Sequence, residues 1–350
     1  MFEFLTSSFS EDMGIDLGTA NVLLYLKGRG IMVREPSVVA LHKKTGTVLA
    51  VGEKARRMVG KTPKTIDAVR PLREGVISDF EVAQKMLRLF IQRVYETPSR
   101  LPRILRPRVV IGIPSGITEV ERKAVRDAAL QAGARKAFLV EEPMAAAIGA
   151  GLPVRDPEGS LIVDIGGGTT EIAIISLGGV VVGRSLRVAG DKLTDALIEY
   201  VRRKHHLLIG EQTAEEVKVR VGTAWVGEGE DTDESNYHRA RGRDLKSGLP
   251  KELKLSASET EEALRAPLNS IASAVKDVVE ATPPELLSDV LGGGITLVGG
   301  GSLLNGMDRF LSERVEVPVV SVEDPMSCVV KGCGALLDDW ELLNVIHVKN

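Results

Sequence analysis

Gly14-Ile15-Asp16-Leu17-Gly18-Thr19-Ala20-Asn21 and Ile162-Val163-Asp164-Ile165-Gly166-Gly167-Gly168-Thr169-Thr170 are two copies of one asymmetric pattern. Each begins as an apolar run that predicts a buried strand. Each then sets an Asp, a Gly-rich turn and a Thr where the chain reverses into a second apolar run. Such a turn brings backbone N–H groups and a carboxylate to one spot, the first suited to phosphate oxygens and the second to Mg²⁺ with its waters. Either copy alone reads equally well as an ordinary hairpin turn. Two copies, one near the start of each half, point instead to a pair of jaws that hold a nucleoside triphosphate tail from opposite sides.

Working outward from the first copy, residues 13–16, 21–27 and 31–33 predict three short antiparallel strands. Residues 37–41 and 48–51 predict two more, ahead of a short helix over 53–59. Val82, Met86, Leu87, Phe90, Ile91 and Val94 form a helical stripe. The all-apolar run 109–113 predicts a strand buried on both faces. Thr118 and Glu121 form a capping box for a helix that runs to Gly133. Phe138-Leu139-Val140 is another strand, and Glu141-Glu142-Pro143 opens a small-residue helix.

The second copy restarts the plan with strands over 161–164, 171–176 and 180–185. Asp191 is the expected cap of a helix over 193–201. Helices follow over 214–221, 258–279, 303–311 and 328–337, with strands at 253–255, 295–298 and 317–322. The acidic stretch 227–236 predicts a loop. The chain is of the α/β class, and each half is a meander followed by alternating helices and strands, an internal duplication.

A length of 350 residues accommodates two such halves, 1–150 with an insertion at roughly 33–75 and 151–350 with one at roughly 190–255. Hydrophobic residues at 43% and charged residues at 27% are ordinary for a globular protein. Aromatics at 4% and a net charge of -3 argue against a nucleic-acid partner, which needs stacking surfaces or a basic face. Cys328 and Cys333 fit neither a zinc pair nor a redox motif and read as small core residues. No stretch has the length of a membrane-spanning helix. Residues 1–9 lack the features of a secretory signal. Phe2, Leu5 and Phe9 there stand at roughly helical spacing, and fit a membrane interface, a frayed end or a strand packed on the core. Leu101-Pro102-Arg103-Ile104-Leu105, apolar and basic together, is a second membrane candidate.

This plan and five of its segments resemble the actin, heat-shock chaperone ATPase and sugar kinase superfamily over essentially the whole chain. The segments are the two phosphate loops, a first connecting helix Glu141-Glu142-Pro143-Met144-Ala145-Ala146-Ala147, an adenosine-side loop Leu297-Val298-Gly299-Gly300-Gly301-Ser302, and a second connecting helix Cys328-Val329-Val330-Lys331-Gly332-Cys333-Gly334-Ala335. Three strings are similar to the bacterial actin-like MreB/Mbl family in particular: the first phosphate loop, Pro114-Ser115-Gly116-Ile117-Thr118-Glu119-Val120-Glu121-Arg122, and Arg241-Gly242-Arg243-Asp244-Leu245.

The resemblance implies an actin-like ATPase fold of two duplicated ribonuclease-H-like domains with a nucleotide in the cleft between them. It implies ATP and Mg²⁺, slow ATP hydrolysis coupled to polymerisation, and a homopolymer filament. It further implies a cytoplasmic location at the inner membrane surface, membrane-bound cell-wall synthesis proteins as partners, and a role in rod cell shape. The alternatives within the fold are a small-molecule kinase and a non-polymerising chaperone-like ATPase. The first lacks an Asp-centred motif near 112–121 for a second substrate, and the second lacks room for a client domain.

Residue by residue, the resemblance implies that Asp16 and Asp164 hold hydrated Mg²⁺. Gly18, Thr19, Ala20 and Asn21, with Gly166, Gly167, Gly168 and Thr169, offer N–H and hydroxyl donors to the phosphates, the glycines letting backbone approach closely. Glu142 stands where the superfamily keeps the residue that positions the attacking water. Glu141 is the second candidate, and Thr169 a further partner of that water. A Glu-Glu-Pro at a helix start also fits simple complementarity with the helix dipole. Gly299, Gly300, Gly301 and Ser302 are placed against base and ribose. Glu215, Glu216 and Lys218 match the segment near ribose and base, and equally fit a solvated helix face.

Overall fold

The computed structural model describes residues 11–96, 106–227 and 237–348. Its first half runs β1 (Met13–Leu17), β2 (Asn21–Leu26), β3 (Gly30–Pro36), β4 (Val39–His42), β5 (Val48–Val51), α1 (Glu53–Arg56), β6 (Ile66–Val69), β7 (Leu72–Arg73), β8 (Val76–Ile77), α2 (Phe80–Glu96), β9 (Arg108–Ile113), α3 (Glu119–Ala132), β10 (Lys136–Glu141) and α4 (Glu142–Gly149). The second runs β11 (Ser160–Ile165), β12 (Thr170–Ser176), β13 (Gly179–Leu186), α5 (Gly190–His205), β14 (Leu207–Leu208), α6 (Glu211–Val221), β15 (Tyr237–Asp244), β16 (Pro250–Ser256), α7 (Ala257–Glu280), α8 (Pro284–Gly293), β17 (Ile295–Val298), α9 (Met307–Val315), β18 (Val319–Ser321), α10 (Cys328–Ala335) and α11 (Trp340–Ile346).

The duplication is visible in the sheets. One has the order β10-β9-β1-β2-β3 and the other β18-β17-β11-β12-β13. In both, a hairpin meander is antiparallel and the strands added on the far side of the first strand are parallel. Parallel neighbours need crossover connections, which the helices supply. The central strands are buried along their length because both faces are covered: every residue of β9 and β12 is buried. Small three-stranded sheets, β5-β4-β6 and β14-β15-β16, are inserted one in each half.

Between the two large sheets lie α4 and α10, which pack on each other. Their placement is crossed: α10, from the C-terminal part of the chain, covers β1, β2 and β9, while α4 reaches β11 and β12. A separate core forms here, from Val110, Val140, Met144 to Ala147, Ile162, Val298, Val329 and Cys333. No side chain separates the two helices where they meet. A Cβ on Gly149 would collide with the Cys328 carbonyl, and one on Gly332 with the Ala145 carbonyl. The small-residue composition of both helices is what lets their backbones touch.

Several expectations are corrected. Asp191 does not cap a helix at residue 193. The helix starts at Gly190, and the N–H groups of Gly190 and Asp191 donate to the carbonyls of Gly166 and Gly167 at 3.1 and 2.8 Å. The second Gly-rich loop thus satisfies that helix end in place of a side chain. The expected helix over 258–279 begins at Ala257 under a capping box of Ser256 and Glu259. The expected helix over 303–311 is a 3-10 turn, Gly300–Leu303, then a break at Gly306 and α9. Gly306 has φ +69, and a Cβ there would stand 2.8 Å from the Trp225 Cβ, so a continuous helix has no room. Strand β15 escaped the sequence reading because one face of its sheet is wet: Arg239, Arg241 and Arg243 are exposed while Ala240 is buried. Residues 1–9, residues 101–105 and the acidic positions 228–236 lie outside the described residues.

Candidate functional site

Asp16 is the last residue but one of the first sheet's central strand and Asp164 of the second's, opposite Gly112 and Val298 in register. The turns that follow both strands line one cavity of about 920 Å³ between the two halves. That is at the upper end of the range for small-molecule sites. Asp16, Gly18, Thr19, Ala20 and Asn21 line it from one side, and Asp164, Gly166, Gly167, Gly168 and Thr169 from the other. Glu142 lies at its floor as the first residue of α4, buried with 9% exposure. Beside it, Gly112 makes room for α10: a Cβ there would stand 2.7 Å from Val329 Cγ1 but at ordinary contact, 3.5 Å, from Glu142 Cγ.

The two loops are in mutual contact. A Cβ on Gly167 would meet the Ala20 Cβ, and one on Gly168 would stand 2.6 Å from Thr19 Oγ1. These two glycines therefore serve the approach of loop to loop as well as any approach to a ligand. Among the described residues, the N–H groups of Gly167 and Gly168 donate to no backbone carbonyl. Thr19 Oγ1 accepts from the Gly75 N–H at 3.0 Å, which ties the first loop to the β7–β8 turn.

The floor is acidic. Burial raises Asp16 to about 7. It raises Asp164 to about 8, aided by Asp16 and Glu171. Glu142 is raised well above the carboxylate range by burial first, then by Glu171, Asp16 and Asp164. Uncompensated carboxylates of this kind mark a site built for a cation or a proton transfer. Among the described residues no group of three or more His, Cys, Asp or Glu could hold a metal on its own. Asp16 and the buried Asp164, two carboxylates lining one cavity, are a donor set suited to an ion that keeps its waters, the habit of Mg²⁺.

Glu171 is a buried carboxylate that the sequence reading passed over. It accepts from Ser185 Oγ at 2.6 Å and from the Ser115 N–H at 3.3 Å, so it pins the β9–α3 turn of the first half to the second sheet. The signal was present: a charge inside the apolar run of β12.

The remaining candidates divide. Glu141 does not line the cavity; it is hydrogen-bonded to Ser115. Ser302 turns its hydroxyl to the Gly299 carbonyl at 2.6 Å and does not line the cavity either, whereas Gly299, Gly300 and Gly301 do. Gly299 has φ +84, and a Cβ there would run into the Asp164 carboxylate. Glu215, Glu216 and Lys218 all line the cavity. Lys218 Nζ donates to the Gly190 carbonyl at 2.8 Å and to Thr194 Oγ1 at 2.9 Å, and pairs with Glu215 at 2.7 Å. Arg70, Asp191, Glu211, Gln212, Trp225 and Asn305 also line the cavity, brought there by the two insertions and by folding that no short motif records.

Residues 10–345 match the family described as MreB/Mbl protein. The cell shape-determining protein Mbl of Bacillus subtilis is 48% identical over 337 residues, 96% of this chain and 98% of that protein. The cell shape-determining protein MreB of Escherichia coli is 49% identical over 342 residues, 97% and 96% of the two chains. Among solved structures, MreB5 of Spiroplasma citri bound to ADP superposes with a TM-score of 0.88 at 38% identity, covering 96% of this chain and 98% of that one. Its complex with AMPPNP gives 0.87 over 95% and 97%. The MamK double helical filament, at 23% identity and a TM-score of 0.76 over 93% and 98% of the chains, shares the fold. That fold is actin-like.

Proposed function

The chain belongs to the MreB/Mbl family, and on that premise we propose that it is an ATP-binding, ATP-hydrolysing actin-like protein that polymerises into filaments and directs cell-wall synthesis and rod shape. The observation that carries this reading is the pairing of two Asp-Gly-Thr loops across one cavity, with a buried Glu142 at its floor. The ADP and AMPPNP bound to the similar Spiroplasma structures support it. A kinase or a non-polymerising chaperone-like ATPase is not favoured, since the relatives over the full chain are cell shape-determining proteins.

In this reading residues 1–150 and 151–350 form the two actin-like domains. The loop N–H groups and the Thr19 and Thr169 hydroxyls bind the phosphates. Asp16 and Asp164 hold the waters of Mg²⁺. When bound, that ion supplies charge neutralisation at the β- and γ-phosphates. Glu142 orients a water in line with the γ-phosphate and takes its proton. Its burial among other carboxylates makes it a stronger base than an exposed Glu once it is ionised. Thr169 hydrogen-bonds the same water. The Gly299–Gly301 turn packs on base and ribose, with Glu215, Glu216 and Lys218 at the ribose edge.

No helix among the described residues is long and apolar enough to cross a membrane. Attachment at the inner membrane face is accordingly assigned to peripheral contacts, with residues 1–9 and 101–105 as the segments to delete, and membrane-bound cell-wall synthesis proteins as partners.

The test is phosphate release and sedimentation with ATP and Mg²⁺. Glu142→Ala is expected to keep nucleotide binding and to lose most phosphate release; unchanged turnover would remove Glu142 from its role. A protein that never sediments, with or without lipid vesicles, would overturn the filament reading.

A further inference from the structure

The mouth of the cavity is spanned by polar contacts between the two insertions. Arg70, just after β6, places Nη1 3.2 Å from Asp191 Oδ1 and Nη2 2.5 Å from Glu211 Oε1. Lys192 Nζ lies 3.2 Å from Glu74 Oε1. Gln212 Nε2 donates to the Arg56 carbonyl at 2.7 Å. Two features of the second half, the start of α5 with Asp191 and Lys192 and the start of α6 with Glu211 and Gln212, thus reach across to the first half. Arg70, Asp191, Glu211 and Gln212 themselves line the cavity.

Each side of this bridge is one hydrogen bond from a phosphate loop. Asp191 donates its backbone N–H to the Gly167 carbonyl at 2.8 Å. Glu74 precedes Gly75, whose N–H donates to Thr19 Oγ1 at 3.0 Å. A shift of either loop is therefore handed directly to a partner in the bridge. The guanidinium is suited to this place because its rigid planar fork holds two carboxylates in a fixed geometry, which the rotating donors of an ammonium do not.

We propose that Arg70, clasped by Asp191 and Glu211, is the latch of the cleft: it must open for nucleotide to leave, and the contents of the two phosphate loops set how firmly it is held. This rests on the reading of the cavity as a nucleotide site. Arg70 is a positioning residue, acting on exchange through the relation of the two halves and not on the chemical step. Lys192 with Glu74 and Gln212 with the Arg56 carbonyl reinforce it.

The test is the release rate of a fluorescent ATP analogue, chased with excess ATP, from the full chain. Arg70→Ala is expected to release it about tenfold faster, the equivalent of about 1.4 kcal/mol. Arg70→Lys should fall between the two, and exchanging the charges in Arg70→Glu with Glu211→Arg should recover part of the loss. Raising the salt concentration should speed release from the wild type more than from Arg70→Ala, which keeps only the Lys192–Glu74 pair of this bridge, because half-exposed ion pairs are screened. The salt series on the wild type needs no variant to fold. Equal release by wild type and Arg70→Ala, with equal salt response, would overturn the latch and leave the nucleotide site intact. A wild type that binds no analogue would overturn the nucleotide site, and the latch with it.

Discussion

A Cβ built on Gly167 stands 2.6 Å from the Cβ of Ala20, so the two Gly-rich loops touch across the cleft. Closed jaws of this kind tolerate no added methyl group without separating. Gly167→Ala is expected to cost about 1–3 kcal/mol of stability by overpacking and to weaken nucleotide binding at the same time. Denaturant unfolding and nucleotide titration of the variant measure both. A variant as stable as the wild type would show that the loops are free to part.

The acidic floor predicts an inverted pH dependence for the protein without metal and nucleotide. Asp16 is raised from 3.8 to about 7 and Asp164 from 3.8 to about 8 by burial. Between the unfolded and folded values the folded protein binds protons that the unfolded chain has lost. The stability contributed by these groups is complete below the unfolded value and drains away as pH rises through about 7 and 8. In the presence of a chelator, the thermal midpoint should therefore fall as pH is raised from about 5 to about 8.5, and Asp164→Asn should flatten that fall. A midpoint that rises over the same interval would contradict it.

Glu171 is the neighbouring carboxylate that weighs most on Glu142 after burial itself. Removing its charge in Glu171→Gln should move the acid limb of the turnover-against-pH profile to lower pH, because Glu142 then ionises more readily. The same change loosens the Ser115 turn, so maximal turnover should fall as well. A profile that keeps its acid limb in place would mean that the two carboxylates do not communicate.

Burial pushes the Cys328 thiol up to about 11 and the Cys333 thiol higher still. Reaction requires the thiolate. Neither cysteine is expected to react with a thiol reagent in the folded protein at neutral pH, and both should react on unfolding. Rapid modification of either without denaturant would show that the α4–α10 layer opens.

The duplication was legible because its carriers are local: an apolar strand, an Asp and a Gly-rich turn occur together within nine residues, and the fold sets both copies on equivalent strands. Thr118 with Glu121 was legible for the same reason, and the structure shows the capping box at that helix start. Asp191 was misread because the group that satisfies its helix end, Gly166 and Gly167, is more than twenty residues away in sequence. Arg70 and Gln212 carry no motif, and their meaning comes only from what the second half presents to the first. Ser302 stood inside a legible glycine turn, yet its hydroxyl serves that turn and not the cavity.

The backbone contact of Gly149 with Cys328 and of Gly332 with Ala145 has a mechanical consequence. Helices that touch through their main chains at two points have no side chain to re-pack there, so rotation about the crossing costs less than sliding. The halves are then arms of a pair of scissors riveted at that crossing. Glu142 stands one to two helical turns from the rivet, close to any axis through that crossing, while Arg70 belongs to the inserted part of the first half. Leverage of this kind lets the reacting groups stay in register while the outer surfaces are displaced by the largest amount.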